Sequence, residues 1–201
     1  MHFFLSDLII DIVQNSAEAG GNQLEIVIDD DVHIDEEGRR FFYFSVKDNG
    51  IGMNEDEIKE AGNPFFTNGK KHPHRRVSLG LPFLIQTVNA SGGKWGIKSP
   101  FASIALGETV NEFEKGLERG LEIWAAFNMD EPDTPPIGDI PGTIRTAFLF
   151  EELDEVIVRR KGSRNYEVRK SELSYINMDK YLRSLEKDDG RILKRSMEWQ
   201  K

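Results

Sequence analysis

The sequence predicts an α+β protein, a two-layer α/β sandwich in which helices cover one face of a mixed, largely antiparallel sheet. Three observations lead to this prediction. Residues 5–18 repeat apolar side chains at the three-and-four spacing of one buried helix face. Residues 24–28 and 41–47 are β-rich and flank an acidic connection, 29–38, which predicts an antiparallel hairpin. Further β-rich and helical stretches follow along the chain.

The first predicted element is the amphipathic helix 5–18, with Ser6 as its expected amino-terminal cap. Asp7 lies where the helix dipole favours negative charge. Asp11 and Asn15 are one helical turn apart, so both side chains can offer oxygen ligands to one Mg²⁺ or to a water bound to it. A solvated polar face produces the same pattern, so the stripe alone leaves both interpretations open.

The second element is the strand at 41–47, which ends directly in an Asp-Asn-Gly-Ile-Gly-Met run from Asp48. Gly50 and Gly52 permit positive φ and carry no side chain, so a flat ligand can approach the backbone. The Asp48 carboxylate can accept a hydrogen bond from an exocyclic amine, as recognition of adenine requires. An ordinary Asp-Asn-Gly turn is the alternative interpretation.

The third element is a loop rich in Gly, Asn, Pro and basic residues that leads into a short apolar helix, expected at 82–91. Gly80 precedes the helix start and Pro82 suits its first turn, so free backbone N–H groups near Gly80 can receive a phosphate. A solvated basic loop is again the alternative. The cations that would suit a triphosphate are Lys70, Lys71, Arg75 and Arg76.

The remaining elements are assigned from pattern alone. A short helix is expected at 54–61, and an additional helix at 109–117. Further strands are expected at 94–98, 121–127 and 143–150.

The chain is predicted to divide at residue 150 into a main domain, 1–150, and a charged appendage, 151–201. The appendage has 13 basic and 11 acidic residues, a balance of +2, whereas the first 150 residues have 13 and 24, a balance of −11. Within the appendage the pattern predicts a hairpin at 155–170 and a helix at 178–187. We expect this segment to pack on its own module or at a dimer interface.

Composition is that of a soluble cytoplasmic protein. The chain has 201 residues, of which 38% are hydrophobic, and the sequence has no apolar stretch of about 18 residues that predicts a membrane span. Asp7 and Asp11 interrupt the apolar run near the start, so no export signal is expected. The absence of cysteine excludes disulfides, thiolate zinc sites and cysteine nucleophiles. A net charge of −9 argues against nucleic acid as a partner.

Taken in this order, the motifs resemble those of the GHKL ATPase superfamily, which includes DNA gyrase B, Hsp90 chaperones, MutL repair proteins and sensor histidine kinases. Residues 11–20 resemble the N box of that superfamily, and residues 48–52 resemble its G1 box. Residues 63–67 and 78–81 are similar to the F box and the G2 box of histidine kinases. The resemblance covers about residues 3–150 and implies the Bergerat fold, closest to histidine-kinase-like ATP-binding proteins, with ATP and Mg²⁺ as ligands.

The resemblance also implies a role for each matched residue. Asn15 would bind Mg²⁺ together with the ATP phosphates, and Asp48 would contact adenine. Asp11 stands where the ATPases usually have glutamate and is the catalytic candidate, placed to polarise an attacking water or acceptor group. The other implied nucleotide-binding residues are Glu18, Gly50, Gly52, Met53, Phe65, Thr67, Lys70, Arg76, Gly80 and Leu81, with residues 67–81 as the lid over the triphosphate.

Three positions depart from the family pattern. Asp11 is one methylene shorter than the usual glutamate. Ser78 replaces the first glycine of the lid hinge, which narrows its backbone freedom. The Gly-Thr pair that normally opens a late strand near adenine reads Gly120-Leu121 here, and Thr143 after Gly142 is a second candidate.

These features together predict a Mg·ATP-binding protein that either hydrolyses ATP or transfers its phosphoryl group to a protein partner. Transfer to a histidine of the same chain is not expected, because none of the four histidines lies in a long amphipathic segment. The alternative is a non-catalytic regulatory or scaffold protein whose nucleotide-dependent lid controls the binding of a partner. A homodimer is compatible with either function.

Overall fold

The structure is a computed structural model, and it describes residues 4–33, 38–61, 80–100, 103–105, 108–110, 118–173 and 177–187. Its strands are β1 (Gln23–His33), β2 (Arg40–Asp48), β3 (Lys94–Lys98), β4 (Ser103–Ala105), β5 (Glu108–Val110), β6 (Glu122–Asn128), β7 (Glu155–Lys161) and β8 (Tyr166–Arg169). Within these residues the strands form one sheet in the order β5-β4-β3-β6-β2-β1-β7-β8. Only the β1–β7 pair among them is parallel. The predicted mixed, largely antiparallel sheet is confirmed.

Five α-helices are described, and four of them form a layer against one face of this sheet. The helices are α1 (Leu5–Glu18), α2 (Glu55–Lys59), α3 (Gly80–Ala90), α4 (Ile140–Phe148) and α5 (Met178–Lys187). α1 contacts both α3 and α4, and α4 contacts α5, so these four share one layer. α2 is a five-residue helix that contacts β4. Among the described helices, none combines the length and the apolar character that crossing a membrane requires.

The core lies between the helices and alternate residues of the strands. On β2, the side chains of Phe42, Phe44 and Val46 point to the helix layer and are buried. The Phe44 ring lies 6.0 Å from the ring of Phe127 on the neighbouring β6. Full burial of each such side chain stabilises the fold by roughly 1.5–3 kcal/mol, so β2 is held firmly up to its last residue, Asp48.

The start of α1 differs from the prediction that Ser6 caps the helix. The N-cap is Phe4, whose backbone N–H donates to Oδ2 of Asp7 at 3.3 Å. Ser6 is buried inside the first turn, and its N–H donates to the carbonyl of Ile137 at 2.9 Å. The prediction was wrong because a distant segment, 136–137, supplies the acceptors that a local cap would otherwise provide.

The strand predicted at 143–150 is also wrong, because most of that segment belongs to α4. Asp139 caps this helix by accepting a hydrogen bond from the N–H of Gly142 at 3.2 Å. Ile144 and Phe148 are buried at helical spacing, in a helix that contacts both α1 and α5. The β-branched residues favoured a strand in the prediction, but packing between two helices overrides so weak a preference.

The additional helix predicted at 109–117 is contradicted in its described part. Residues 108–110 form β5 and pair in antiparallel register with β4, whose backbone groups supply the hydrogen bonds. Residues 111–117 lie outside the described residues. The helix 5–18 and the strand 94–98 are confirmed with their predicted ends, and the other predicted elements before residue 150 are confirmed with shifted ends. β1 is the longest of the described strands, and its pairing with β2 continues past a bulge between Asp29 and Val32.

The hairpin and the helix predicted after residue 150 are confirmed as β7–β8 and α5. β7 runs parallel to β1, with residues 23–29 opposite residues 155–161. The segment after residue 150 therefore continues the sheet of the main domain, and the boundary predicted there lies between α4 and a strand of a shared sheet.

A buried ionic network holds this hairpin to the rest of the fold. Arg160 is only 4% exposed, and it lies 2.7 Å from Asp30 and 3.4 Å from Glu186 on α5. Tyr166 donates its phenolic hydrogen bond to the same Glu186 at 2.6 Å. Burial raises the pKa of Asp30, but hydrogen bonds from Arg160 and Ser163 outweigh burial, so the pKa lies below its ordinary value. Asp30 is therefore a carboxylate in the folded protein at neutral pH.

We expect Asp30→Asn to lower the free energy of unfolding by about 3 kcal/mol at pH 7, because it leaves the buried Arg160 with an incomplete set of partners. A carboxylate whose pKa is lowered by folding stabilises the protein at pH values above its pKa in the unfolded chain. This contribution is lost as the pH falls. The difference between the wild type and the variant should therefore shrink below about pH 4.

Urea denaturation at a series of pH values measures both effects. Asp133→Asn, which removes an exposed carboxylate from a loop, is the matched control and should change stability little. A difference for Asp30→Asn that stays constant down to pH 3 would contradict this account.

Candidate functional site: a buried carboxylate beside a glycine turn

The Asp48 carboxylate is buried at the end of β2, where it is 5% exposed. Its Oδ2 accepts a hydrogen bond from the hydroxyl of Ser16 on α1 at 2.7 Å. Its Oδ1 accepts from the backbone N–H groups of Gly50 at 2.9 Å and Leu121 at 3.2 Å. Three parts of the chain therefore hold one carboxylate. The helix α1 contributes a side-chain hydroxyl, and the glycine turn and the residue before β6 each contribute a backbone N–H.

The glycines around Asp48 leave little or no room for side chains. A Cβ atom on Gly50 would lie 3.0 Å from the carbonyl oxygen of Ala19. Gly52 has φ +71°, and a Cβ there would lie 2.8 Å from the carbonyl oxygen of Gly120. Gly120 has φ +89°, and a Cβ there would overlap the carbonyl oxygen of Asp48. The glycines thus allow neighbouring backbone segments to pack closely around the carboxylate.

Met53 closes the turn through a reciprocal pair of hydrogen bonds with Ser99. The N–H of Met53 donates to the Ser99 hydroxyl oxygen at 3.2 Å, and the hydroxyl donates to the Met53 carbonyl at 2.6 Å. Ser99 directly follows β3, and the Met53 side chain packs against the core. Both ends of the glycine turn are consequently anchored to the sheet.

The polar side chains Asp11 and Asn15 on α1 lie beside the start of α3. A Cβ atom on Gly80 would lie 3.1 Å from the Cβ of Asp11 and 3.4 Å from Nδ2 of Asn15. The next residue after Asn15 is Ser16, which binds Asp48. The side chains predicted for metal binding, for adenine recognition and for the phosphate-binding helix start are therefore connected through one helix.

Two other predicted nucleotide-binding residues have different surroundings. Glu18 is exposed at the end of α1 and accepts a hydrogen bond from Gln14 at 2.9 Å. The Leu81 side chain is 5% exposed and belongs to the core, which leaves its backbone as the part able to contact a ligand.

The remaining predicted residues lie outside the described residues. These are Phe65, Thr67, Lys70, Lys71, Arg75, Arg76 and Ser78, together with the rest of the segment 62–79.

The structure separates the two candidates for the Gly-Thr position. Gly120 and Leu121 lie directly against Asp48, as their contacts above show. Thr143 lies in α4, where its hydroxyl donates to the carbonyl of Asp139 at 3.0 Å. Leu121 therefore occupies the position beside the carboxylate, and it contributes a backbone N–H there.

Three residues of the site were missed by the sequence analysis. Ser16, Ser99 and Asn49 all make hydrogen bonds that shape the site, yet none was singled out. Ser16 follows Asn15 and faces inward on α1, so its place on the apolar side of the helix was a usable signal. The partner of Ser99 lies 46 residues away, and no local pattern indicates such a contact.

The arrangement suits a flat ligand that carries an amino group. A carboxylate has about four acceptor positions, and among the described residues three donors reach that of Asp48, which leaves one position on Oδ2. The polar side chains of α1 continue from Ser16 to Asn15 and Asp11, which lie beside Gly80. A purine followed by a metal-bound phosphate chain has this sequence of groups.

Comparison with known proteins identifies the family to which the chain belongs. The model of the histidine kinase-, DNA gyrase B- and HSP90-like ATPases matches residues 3–129. The chain belongs to this ATPase family, and its fold is the Bergerat fold. In a sequence comparison with curated proteins, no protein matched the chain.

Solved structures with the same fold include two with low sequence identity. The N-terminal domain of a DNA repair protein is 12% identical with a TM-score of 0.54, and the match covers 83% of this chain and 51% of that one. The Aquifex aeolicus MutL ATPase domain complexed with ADP is 14% identical with a TM-score of 0.52, covering 92% and 70%. This chain thus spans about half the length of the first of these structures, and the likeness concerns the fold.

We expect Gly120→Ala to lower the free energy of unfolding by at least about 3 kcal/mol, because the new methyl group meets the Asp48 backbone at a left-handed φ. Gly92→Ala is the matched control. Gly92 also has positive φ, at +60°, but no atom lies within 4 Å of its added Cβ. Its substitution should cost only about 1 kcal/mol.

Chemical denaturation of both variants measures this difference. Equal losses of stability would show that the close contact between Gly120 and Asp48 contributes nothing beyond the backbone conformation.

Proposed function

We propose that the protein binds Mg·ATP and either hydrolyses it or transfers its phosphoryl group to a protein partner. The proposal rests on one observation, that α1 contacts both the end of β2 and the start of α3. Ser16 binds Asp48 at the end of β2, while Asp11 and Asn15 lie against Gly80 at the start of α3. Membership of the ATPase family supports ATP as the ligand, and the MutL domain of the same fold was solved with ADP.

In this proposal Asp48 recognises adenine. The acceptor position left on Oδ2 receives a hydrogen bond from the exocyclic amine of the purine. Because the carboxylate is already held by three donors, it loses little freedom when the ligand binds. A base with a carbonyl in place of the amine would present an acceptor to an acceptor and be rejected.

Asn15 is the proposed protein ligand of Mg²⁺. Its amide oxygen is a hard donor of the kind that Mg²⁺ prefers, and the ion keeps several waters when it binds with nucleotide phosphates. Among the described residues no group of three or more acidic or histidine side chains is placed to hold a metal. The proposal accordingly assigns the other coordination positions to phosphate oxygens and water.

Asp11 is the proposed catalytic residue. It lies one helical turn before Asn15 and contacts Gly80, close to where the phosphates would reach the start of α3. There its carboxylate would orient the attacking water or the acceptor group of a partner and accept its proton. The family resemblance predicts a lid at 67–81, and the proposal limits it to 67–79 because Gly80 and Leu81 begin α3 and Leu81 is buried in the core. Lys70 and Arg76 would stabilise the charge that develops on the phosphates.

The second candidate function is a regulatory protein that binds ATP without turnover and presents a nucleotide-dependent surface to a partner. The observation that favours it is Asp11 itself. This carboxylate is one methylene shorter than the glutamate of the hydrolysing members and sits on a helix, so it reaches less far toward a nucleophile.

We expect Asn15→Ala to abolish Mg²⁺-dependent nucleotide binding, because it removes the protein ligand of the ion. Isothermal titration calorimetry with ATP, in Mg²⁺ and in EDTA, measures the effect. Asn89→Ala, an exposed asparagine at the end of α3, is the matched control and should bind as the wild type does. Unaltered affinity in Asn15→Ala would refute this assignment.

A second experiment separates the two candidate functions. If the protein is an enzyme, Asp11→Asn should reduce phosphate release or phosphoryl transfer by about 10²–10⁴-fold while ATP binding persists. Asp7→Asn, which removes a carboxylate from the same helix at its far end, should retain turnover. Absence of turnover in the wild type, together with ATP-dependent capture of a partner, would establish the regulatory function instead.

A further inference from the structure

Two asparagine side chains join the glycine turn to the start of β1. Oδ1 of Asn49 accepts hydrogen bonds from the backbone N–H groups of Asn22 at 2.9 Å and Gln23 at 3.1 Å. Nδ2 of Asn49 donates to Oδ1 of Asn22 at 2.8 Å. All the hydrogen-bonding capacity of the Asn49 amide oxygen, and one of its two N–H donors, is therefore directed at this one neighbour strand.

The same Asn22 is bound from its other side by the residues that lead into β7. Its Nδ2 donates to Oδ2 of Asp154 at 2.8 Å. Its carbonyl accepts from the backbone N–H groups of Asp154 at 2.8 Å and Glu155 at 3.2 Å. Asp154 lies beyond residues 3–129, the part of the chain that matches the family model. A side-chain hydrogen-bond chain thus runs from the later hairpin to the residue next to Asp48.

Because of the position of Asn49, these hydrogen bonds affect the orientation of the Asp48 carboxylate. Asn49 stands between Asp48 and Gly50, and the Gly50 N–H donates to Oδ1 of Asp48 at 2.9 Å. The direction of that N–H depends on the peptide unit that Asn49 forms with Gly50. Holding the Asn49 side chain therefore holds the donor that orients the carboxylate, and with it the direction of the acceptor position on Oδ2.

We propose that Asp154, Asn22 and Asn49 are positioning residues that orient the Asp48 carboxylate, so that the strand after the family module sets how strictly the pocket selects a purine with an exocyclic amine. This inference rests on the proposed function. A purely structural clamp would affect every nucleotide alike, whereas an orienting role affects the group that Asp48 alone recognises.

The test compares ATP with inosine triphosphate, which has a carbonyl where adenine has its amine. Dissociation constants for both, with Mg²⁺, are measured by calorimetry in the wild type and in Asp154→Ala. The wild type should prefer ATP, and Asp154→Ala should lose about tenfold of that preference, the scale of one well-placed hydrogen bond.

Two further variants make the result specific. Asp154→Asn keeps an oxygen acceptor for Nδ2 of Asn22 and should retain the preference for ATP. Glu152→Ala removes an exposed carboxylate two residues earlier and should also retain it. Because Asp154 is itself exposed, its truncation leaves the core intact, and a melting temperature measured without ligand checks that each variant is folded.

The possible results separate failure of the positioning role from failure of the proposed function. Equal weakening of both nucleotides in Asp154→Ala, or an unchanged preference, would overturn the positioning role while leaving the proposed function in place. A wild type that binds neither nucleotide would overturn the proposed function and this inference with it.

Discussion

The buried Asp48 carboxylate is the group on which the arrangement of the site depends. A buried charge without partners costs several kcal/mol, so the fold is stable only when its donors are in place. Those donors are Ser16 on α1, the Gly50 N–H in the turn and the Leu121 N–H before β6. The same requirement that stabilises the carboxylate therefore brings a helix, a turn and a strand together around it.

In the proposed function, the glycine turn forms part of the binding site beside this carboxylate. Gly52 and Gly120 bring two backbone segments so close that neither tolerates a Cβ atom, and Met53 and Ser99 fasten the exit of the turn. A turn held at both ends loses little conformational entropy when a ligand binds, so more of the interaction energy is available as affinity. Rigid backbone and a pre-oriented carboxylate are the properties expected of a selective purine pocket.

The hairpin after residue 150 belongs to the same physical unit as the site. β7 pairs with β1 in parallel, and Arg160 on β7 joins Asp30 of β1 to Glu186 of α5. Since β1 also pairs with β2, displacement of the hairpin would disturb the strand beside the one that ends in Asp48. Stability of the later segment and geometry of the site are consequently linked through shared strands.

The sequence by itself determined the helix α1, the strand β2, the glycine turn, the β7–β8 hairpin and α5, because each follows from local periodicity or turn chemistry. The tertiary structure decided what local pattern does not encode. It made α4 a helix where β-branched residues favoured a strand, and it replaced Ser6 as the cap of α1 with Phe4. It also selected Leu121 rather than Thr143 as the neighbour of Asp48 and placed β7 beside β1. Each of these outcomes depends on contacts between residues far apart in the chain, whose hydrogen bonds and buried surface outweigh the preferences of any short segment.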